Sequence, residues 1–117
     1  MRHVLLGVAA LLVVGTAARP VAAQAADGKA LYGETCKKCH GVLGSPPQTM
    51  KKKYPKIASF DAKFLETHSE DSIVKVLTKG KGEDMESYKS KMSPAEMTAV
   101  AKYVRELASK PKTGGHD

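Results

Sequence analysis

The chain has few of the residues that usually stabilise a small domain. Its 117 residues include no tryptophan, two phenylalanines, four tyrosines and only two cysteines. Aromatic side chains therefore contribute little to a core, although 42% of the residues are apolar and the composition is that of a globular protein. A domain of this size buries a modest share of its surface and often needs an additional stabilising group. The sequence has no obvious internal repeat or low-complexity tract, so we expect one small domain.

The absence of a second cysteine pair excludes several common sites. A structural zinc site needs about four Cys or His ligands at tetrahedral spacing, and His3, His68 and His116 do not form such a pattern with the cysteines. A thioredoxin-like pair calls for a neighbouring βαβ pattern, and no strand-like alternation flanks the two cysteines. Zinc binding and thioredoxin-like exchange are therefore disfavoured.

The two cysteines lie in the segment Cys36-Lys37-Lys38-Cys39-His40. C-x-x-C followed directly by His is the attachment signature of a c-type haem. Each thiol can form a thioether with one haem vinyl group, and the imidazole of His40 can bind the iron as the proximal ligand. A dithiol redox pair or a disulfide is the alternative. The motif predicts one covalently bound haem c (iron), which would also stabilise the thin core.

The first 25 residues have the pattern of a secretory signal peptide. A short basic start precedes an apolar run over residues 4–14, and the small-residue segment Ala23-Gln24-Ala25 follows. The run is shorter than the roughly 20 residues that a membrane-spanning helix needs, and the segment predicts cleavage before Ala26. Cleavage after Ala23 and an uncleaved anchor are the alternatives. We expect an exported protein, in the periplasm, without stable membrane insertion after cleavage.

The mature chain predicts an all-α domain over residues 26–110 and a flexible tail over residues 111–117. Asp27 is a plausible N-cap for a first helix that ends at the haem motif. Glycines and prolines predict a loop over residues 41–56, followed by short helices over 60–67 and 69–80. Ser93-Pro94-Ala95-Glu96 is a strong start, with a capping box, for a last helix whose apolar face continues to Leu107.

The second axial ligand decides whether the iron is open to substrate or closed. Thioether sulfur is a known axial ligand of haem iron. The candidates in the mature chain are Met50, Met85, Met92 and Met97, with His68 and His116 as alternatives. Met97 lies on the apolar face of the last helix, and Met92 precedes an N-cap, where an apolar residue can pack as a staple. Packing does not explain Met85, which stands in a polar loop, so Met85 is favoured and Met92 is its main rival.

The chain resembles the class I cytochromes c, the small monohaem bacterial kind. In that family a helix reads Gly-x-x-x-aromatic-x-x-x-Cys-x-x-Cys-His, here Gly28, Tyr32 and the haem motif. An axial Met is followed at family spacing by an aromatic, an apolar residue and a cap, here Met85, Tyr88, Met92 and Ser93. In the family, an apolar residue and an aromatic residue of the last helix cross the first helix. Val100 and Tyr103 match these two positions. The resemblance implies the cytochrome c fold, with four to five short helices packed around one haem.

The family also implies residues that orient the iron ligands. A proline carbonyl accepts a hydrogen bond from the Nδ1–H of the proximal His, and this contact fixes the ring. Pro55, in Pro55-Lys56-Ile57, resembles the family's Pro-x-Leu, although Pro46 and Pro47 lie nearer to His40. Pro55, Ile57 and Tyr88 are therefore expected around the ligands. Glu86 departs from the family, whose members often have Pro directly after the axial Met.

The resemblance implies a single-electron carrier rather than an enzyme, with an iron bound by His40 and Met85. A five-coordinate haem sensor or peroxidase-like enzyme and a haem subunit of a larger oxidoreductase complex are the alternatives. Lysines flank the expected haem edge at positions 37, 38, 51–53, 79, 81, 89 and 91. Such a positive ring would steer the protein to redox partners with acidic docking surfaces, although an ordinary solvated basic face is the competing interpretation. No nucleic-acid-binding motif is present.

Overall fold

The computed structural model describes residues 25–112, which hold six helical segments and no β-strand. These segments are α1 (Gly28–Thr35), α2 (Lys37–His40), α3 (Gln48–Lys53), α4 (Ala62–Thr67), α5 (Glu70–Lys79) and α6 (Pro94–Ser109). The all-α prediction is confirmed. The predicted signal peptide, except Ala25, and most of the predicted tail lie outside the described residues. Across residues 25–112, no helix is both long and apolar enough to cross a membrane.

The helix count exceeds the expected four to five for two local reasons. Cys36 ends α1 and begins α2, so the four-residue α2 continues the chain beyond a single break. The loop predicted over residues 41–56 also contains α3, which starts directly after Pro47. Proline favours the start of a helix, and Gln, Met and Lys are good helix formers. The glycines and prolines of this segment therefore lie before and after α3, and only these two parts of the segment form loops.

The long helix α6 is the centre of the packing, since α1, α4 and α5 all contact it. Its buried face consists of Met97, Val100, Ala101, Val104, Leu107 and Ala108. α5 contributes Ile73 and Leu77 to the same core. α1 crosses α6 at Gly28, where an added Cβ would lie 2.0 Å from the Ala99 carbonyl oxygen. Tyr32 packs edge-to-face on Tyr103 at a ring-centroid distance of 5.4 Å, as the resemblance predicted for this crossing.

The predicted helix caps are present. Asp27 Oδ1 accepts hydrogen bonds from the backbone N–H groups of Lys29 and Ala30, at 3.0 and 3.1 Å. At the start of α6, Ser93 Oγ accepts from the Glu96 N–H at 3.2 Å, and the Ser93 N–H donates to Glu96 Oε2 at 2.7 Å. This reciprocal pair satisfies two backbone donors that the helix itself leaves free.

Ser93→Ala is expected to lower the free energy of unfolding by about 1 kcal/mol, because the Glu96 N–H loses its side-chain acceptor. Chemical denaturation of the haem-loaded protein measures this difference. Ser90→Ala is the matched control, since Ser90 is exposed and lies outside every helix. Equal denaturation midpoints for the two variants would show that the capping box does not stabilise α6.

Candidate haem-binding site

An apolar cavity of about 560 Å³ lies between α1, α2, α4, α5, α6 and the loops that connect them. Its size falls within the range of roughly 300–1,000 Å³ that is typical of cofactor sites. Six of the residues predicted for the site line this cavity: Cys36, Cys39, His40, Ile57, Met85 and Tyr88. Residues that are distant in the sequence therefore meet at one place in the fold.

The junction of α1 and α2 brings the cysteines and His40 to one wall. The His40 N–H donates to the Cys36 carbonyl at 3.0 Å, and the Cys39 N–H lies 3.2 Å from the same oxygen. Residues three and four positions apart share one face of a helix, so both thiols and the imidazole point to the same side. Both cysteines are free thiols. Burial, followed by the neighbouring Cys39, raises the pKa of Cys36 to about 11, so this thiol is protonated at neutral pH.

The His40 imidazole is held by two contacts. Its ring stacks on Phe60, with a centroid distance of 4.8 Å and an interplanar angle of 17°. Its Nδ1 lies 3.3 Å from the Ala58 carbonyl oxygen. Burial lowers the pKa of His40 and the Ala58 contact opposes this shift in part, so the imidazole is favoured in its neutral form. A neutral ring that donates from Nδ1 has an unprotonated Nε2, which is the form that binds a metal ion.

The residue expected to accept this hydrogen bond is corrected by the structure. Pro55 does not face His40, and the carbonyl that does belongs to Ala58. Pro55 is exposed in a turn in which the Ile57 N–H donates to the Tyr54 carbonyl at 3.0 Å. The turn leaves Pro55 in solvent and carries Ile57 to the cavity wall. The approach of Ala58 therefore depends on the path of the chain after this turn.

Met85 is held at the cavity by a tight loop after α5. The Lys81 N–H donates to the Met85 carbonyl at 2.8 Å, and the Tyr88 N–H donates to the Leu77 carbonyl at 2.7 Å. Gly80 has a φ of +74°, and a Cβ there would lie 2.7 Å from the Met85 carbonyl oxygen. A side chain at Gly80 would thus be strained and would displace the loop. The half-buried Met85 side chain lines the cavity together with Tyr88.

Residues 23–104 match the family described as Cytochrome C oxidase, cbb3-type, subunit III. The chain belongs to this family of c-type cytochromes. It is similar to the solved structure of the KustC0563 c-type cytochrome, with 32% identity, 70% of this chain and 98% of that chain covered, and a TM-score of 0.64. A structure of a tyrosine-to-phenylalanine mutant of Kustc0563 gives 32% identity, 69% and 98% coverage, and a TM-score of 0.62. No curated protein sequence matches significantly.

These comparisons confirm the resemblance and the cytochrome c fold. A c-type cytochrome carries haem c, an iron porphyrin that is covalently bound. The chemistry of the cavity fits this group, because its lining combines two free thiols, an imidazole, a thioether and apolar walls. Soft sulfur and imidazole nitrogen are ligands that suit haem iron.

The other methionines that the structure describes lie away from the cavity of the cytochrome. Met92 is 6% exposed and belongs to the core cluster. Met97 is also in the core, where its sulfur lies 3.7 Å from Thr78 Oγ1. Met50 is on α3, and none of the three lines the cavity. Among the methionines of the described residues, only Met85 lines the cavity.

His68, which the sequence offered only as an alternative ligand, also lines the cavity. Its ring stacks on Phe64 with a centroid distance of 4.1 Å and an interplanar angle of 3°, and its carbonyl accepts a hydrogen bond from Arg105. The four-residue spacing of Phe64 and His68, at the end of α4, was the signal that could have placed these two on one face. His116 lies outside the described residues.

The charges around the cavity are mixed. The lysines that were predicted to flank the haem edge are all exposed. Lys81 lines the cavity, but so do the exposed carboxylates Asp84 and Glu86. Glu86 forms an ion pair of 2.6 Å with Lys91. The loop that carries Met85 is thus less basic than the lysine positions alone suggest, and the basic excess lies on α2 and α3.

Proposed function

We propose that this cytochrome carries single electrons between redox partners, through a haem iron that is bound by His40 and Met85. Cys36 and Cys39 would hold the haem by thioether bonds. The observation that carries the proposal is the meeting of two free thiols, an imidazole and a thioether at one apolar cavity. When bound, the haem supplies the Fe(III)/Fe(II) couple.

Each residue has a separate task in this proposal. The two thiols on the α1–α2 junction anchor the group to one short segment of backbone. Ala58 and Phe60 hold the His40 ring, so that Nε2 is presented to the iron. A thioether ligand such as Met85 raises the reduction potential, and an apolar environment disfavours the additional charge of the ferric state. The residues thus hold one geometry while one electron enters or leaves.

We also propose export to the periplasm, with residues 1–25 as a cleaved signal, residues 26–110 as the cytochrome domain and residues 111–117 as a flexible tail. The basic start, the short apolar run and the Ala23-Gln24-Ala25 segment support this organisation. In an oxidising compartment two adjacent thiols would otherwise form a disulfide, which haem attachment prevents. The mass of the protein purified from the periplasm tests the cleavage site.

The visible absorption spectrum of the purified exported protein tests the ligand set. We expect a low-spin spectrum, a weak far-red thioether-to-ferric band in the oxidised protein and no rapid change when carbon monoxide is added to the reduced protein. A high-spin spectrum with ready carbon monoxide binding would indicate an open iron. The function would then be that of a sensor or a peroxidase-like enzyme, and the carrier proposal would be withdrawn.

A second candidate is a haem subunit of a larger oxidoreductase complex. It is favoured by the description of the matched family, which names subunit III of a cbb3-type oxidase. Size measurement of the native protein in gently solubilised cells distinguishes the two functions. A freely diffusing carrier elutes at the size of this chain alone, whereas a subunit elutes with its partners.

The proposed carrier is expected to react with an acidic redox protein more slowly as salt is added. Loss of Arg2 and Arg19 with the signal leaves 17 basic against 12 acidic side chains. The Debye length falls from about 30 Å at 0.01 M salt to about 8 Å at 0.15 M, and electrostatic steering changes association rates by about tenfold or more. Stopped-flow electron transfer with a purified acidic redox protein measures the rate.

Two charge reversals localise this effect. Lys38→Glu changes an exposed position of α2 within the haem motif, whereas Lys102→Glu makes the same change on an exposed position of α6 that does not line the cavity. Lys38→Glu is expected to slow the reaction at low salt more than Lys102→Glu. Equal rates for the two variants, or a rate that salt does not change, would mean that the lysines form an ordinary solvated surface that does not steer redox partners.

A further inference from the structure

Phe60 makes a contact with His40 that packing alone does not require. The Phe60 ring is 7% exposed and lies nearly parallel to the imidazole, at 17° and 4.8 Å between centroids. The other aromatic contacts of Phe60 are inclined, at 63° to Tyr32 and 59° to Phe64. The plane of Phe60 is therefore aligned with the one neighbour that is a candidate iron ligand.

The surrounding residues fix the Phe60 ring against His40. The Phe60 N–H donates to the Gly44 carbonyl at 2.7 Å. Gly44 has a φ of +77°, and a Cβ there would lie 2.9 Å from the Phe60 Cβ, so the loop presses directly on this side chain. Tyr32 lies at another side of the ring, and its buried hydroxyl donates to the Gly41 carbonyl at 2.6 Å. Burial raises the pKa of Tyr32 well above its usual range, which keeps this donor protonated.

The hydrogen bond of His40 is a weak restraint by itself. The distance of 3.3 Å between Nδ1 and the Ala58 oxygen is longer than the usual 2.9–3.0 Å for an N–H···O bond. A single contact at one ring atom also leaves the imidazole plane free to rotate about the line between Nδ1 and the Ala58 oxygen. A parallel aromatic ring opposes this movement, because it contacts the whole face of the imidazole.

We propose that Phe60 is a positioning residue, which sets the orientation of the His40 ring plane and so the electronic state of the iron. This inference rests on the proposed role of His40 as an iron ligand. Phe60 is buried and, in the proposal, does not bind the iron itself, so it acts through His40. The Gly44 loop and Tyr32 act one step further out, by holding Phe60 in place.

The test compares Phe60→Leu with Phe64→Leu in the haem-loaded protein. Both changes replace one aromatic ring of the cavity wall by an aliphatic side chain, but Phe64 stacks on His68 and only Phe60 stacks on His40. Proton NMR of the ferric protein reports the orientation of the axial imidazole through the hyperfine shifts of the four haem methyl groups. We expect Phe60→Leu to change the spread of these shifts more than Phe64→Leu, and Phe60→Tyr to restore the wild-type pattern.

The outcomes separate this inference from the proposed function. Equal changes in the two leucine variants, or an unchanged pattern in Phe60→Leu, would mean that Phe60 is only a packing residue. Should Phe60→Leu not fold, nuclear Overhauser contacts between the two rings in the reduced wild-type protein decide the matter, and their absence overturns the inference. If wild-type His40 has no hyperfine-shifted ring protons in the ferric state, His40 is not an iron ligand and the proposed function itself fails.

Discussion

Met85→Ala is expected to open the iron of the reduced cytochrome to carbon monoxide. The wild-type thioether would occupy the sixth position, whereas the alanine methyl group cannot bind iron. The far-red thioether-to-ferric band should disappear, and the reduction potential should fall, because the ligand that favours Fe(II) has been removed. The loop itself should persist, since Lys81 bonds to the backbone of residue 85 and not to its side chain. Visible spectroscopy with and without carbon monoxide measures the first two effects, and a redox titration measures the potential.

Met92→Ala is the matched control for this prediction. It removes the same side chain from a core position that is 6% exposed and does not line the cavity. Loss of a buried methionine costs about 2–5 kcal/mol of stability, so Met92→Ala should unfold more easily but keep the far-red band and the closed iron. If Met92→Ala opened the iron and Met85→Ala did not, Met92 would be the ligand and the loop assignment would be wrong.

Features whose physical cause is local could be predicted from the sequence. A cap is formed by a side chain and an N–H group three residues later, so Asp27 and Ser93 were recognisable without knowledge of the fold. The haem motif is equally local, because its side chains are three and four positions apart and a helix brings such positions to one face. The choice of Met85 over Met92 used the same reasoning, in that a staple position explains Met92 and nothing in a polar loop explains Met85, and this choice stays a prediction.

Features that depend on the path of the chain could not be predicted. The Ala58 carbonyl reaches His40 across 18 residues, and any of several carbonyls near Pro55 had the same chemistry. The stack of Phe60 on His40 needs the Gly44 loop to hold the ring, and the pattern of apolar residues shows only that Phe60 is buried. The place of His68 in the cavity wall depends in the same way on the neighbouring helices. Each of these contacts is set by tertiary packing.

Gly28→Ala is expected to lower the free energy of unfolding by about 3 kcal/mol, at the upper end of what overpacking usually costs. The new Cβ would lie 2.0 Å from the Ala99 oxygen and 2.5 Å from the Ala99 carbonyl carbon. Both atoms are backbone, so no side chain can move aside, and α1 must separate from α6. Because α1 carries Tyr32 and ends at Cys36, the separation also disturbs the wall that holds the haem motif. Chemical denaturation of the haem-loaded protein measures the loss.

Gly33→Ala makes the same substitution on the same helix and should have the opposite effect. A Cβ at Gly33 meets no atom within 4 Å, and replacing glycine by alanine inside a helix stabilises it by about 0.5–1 kcal/mol. Opposite signs at two positions of one helix would show that close contact with α6, and not helix propensity, requires glycine at position 28. Similar effects of the two substitutions would mean that α1 can move away from α6 at little cost, and the haem motif would then depend on the haem itself for its position.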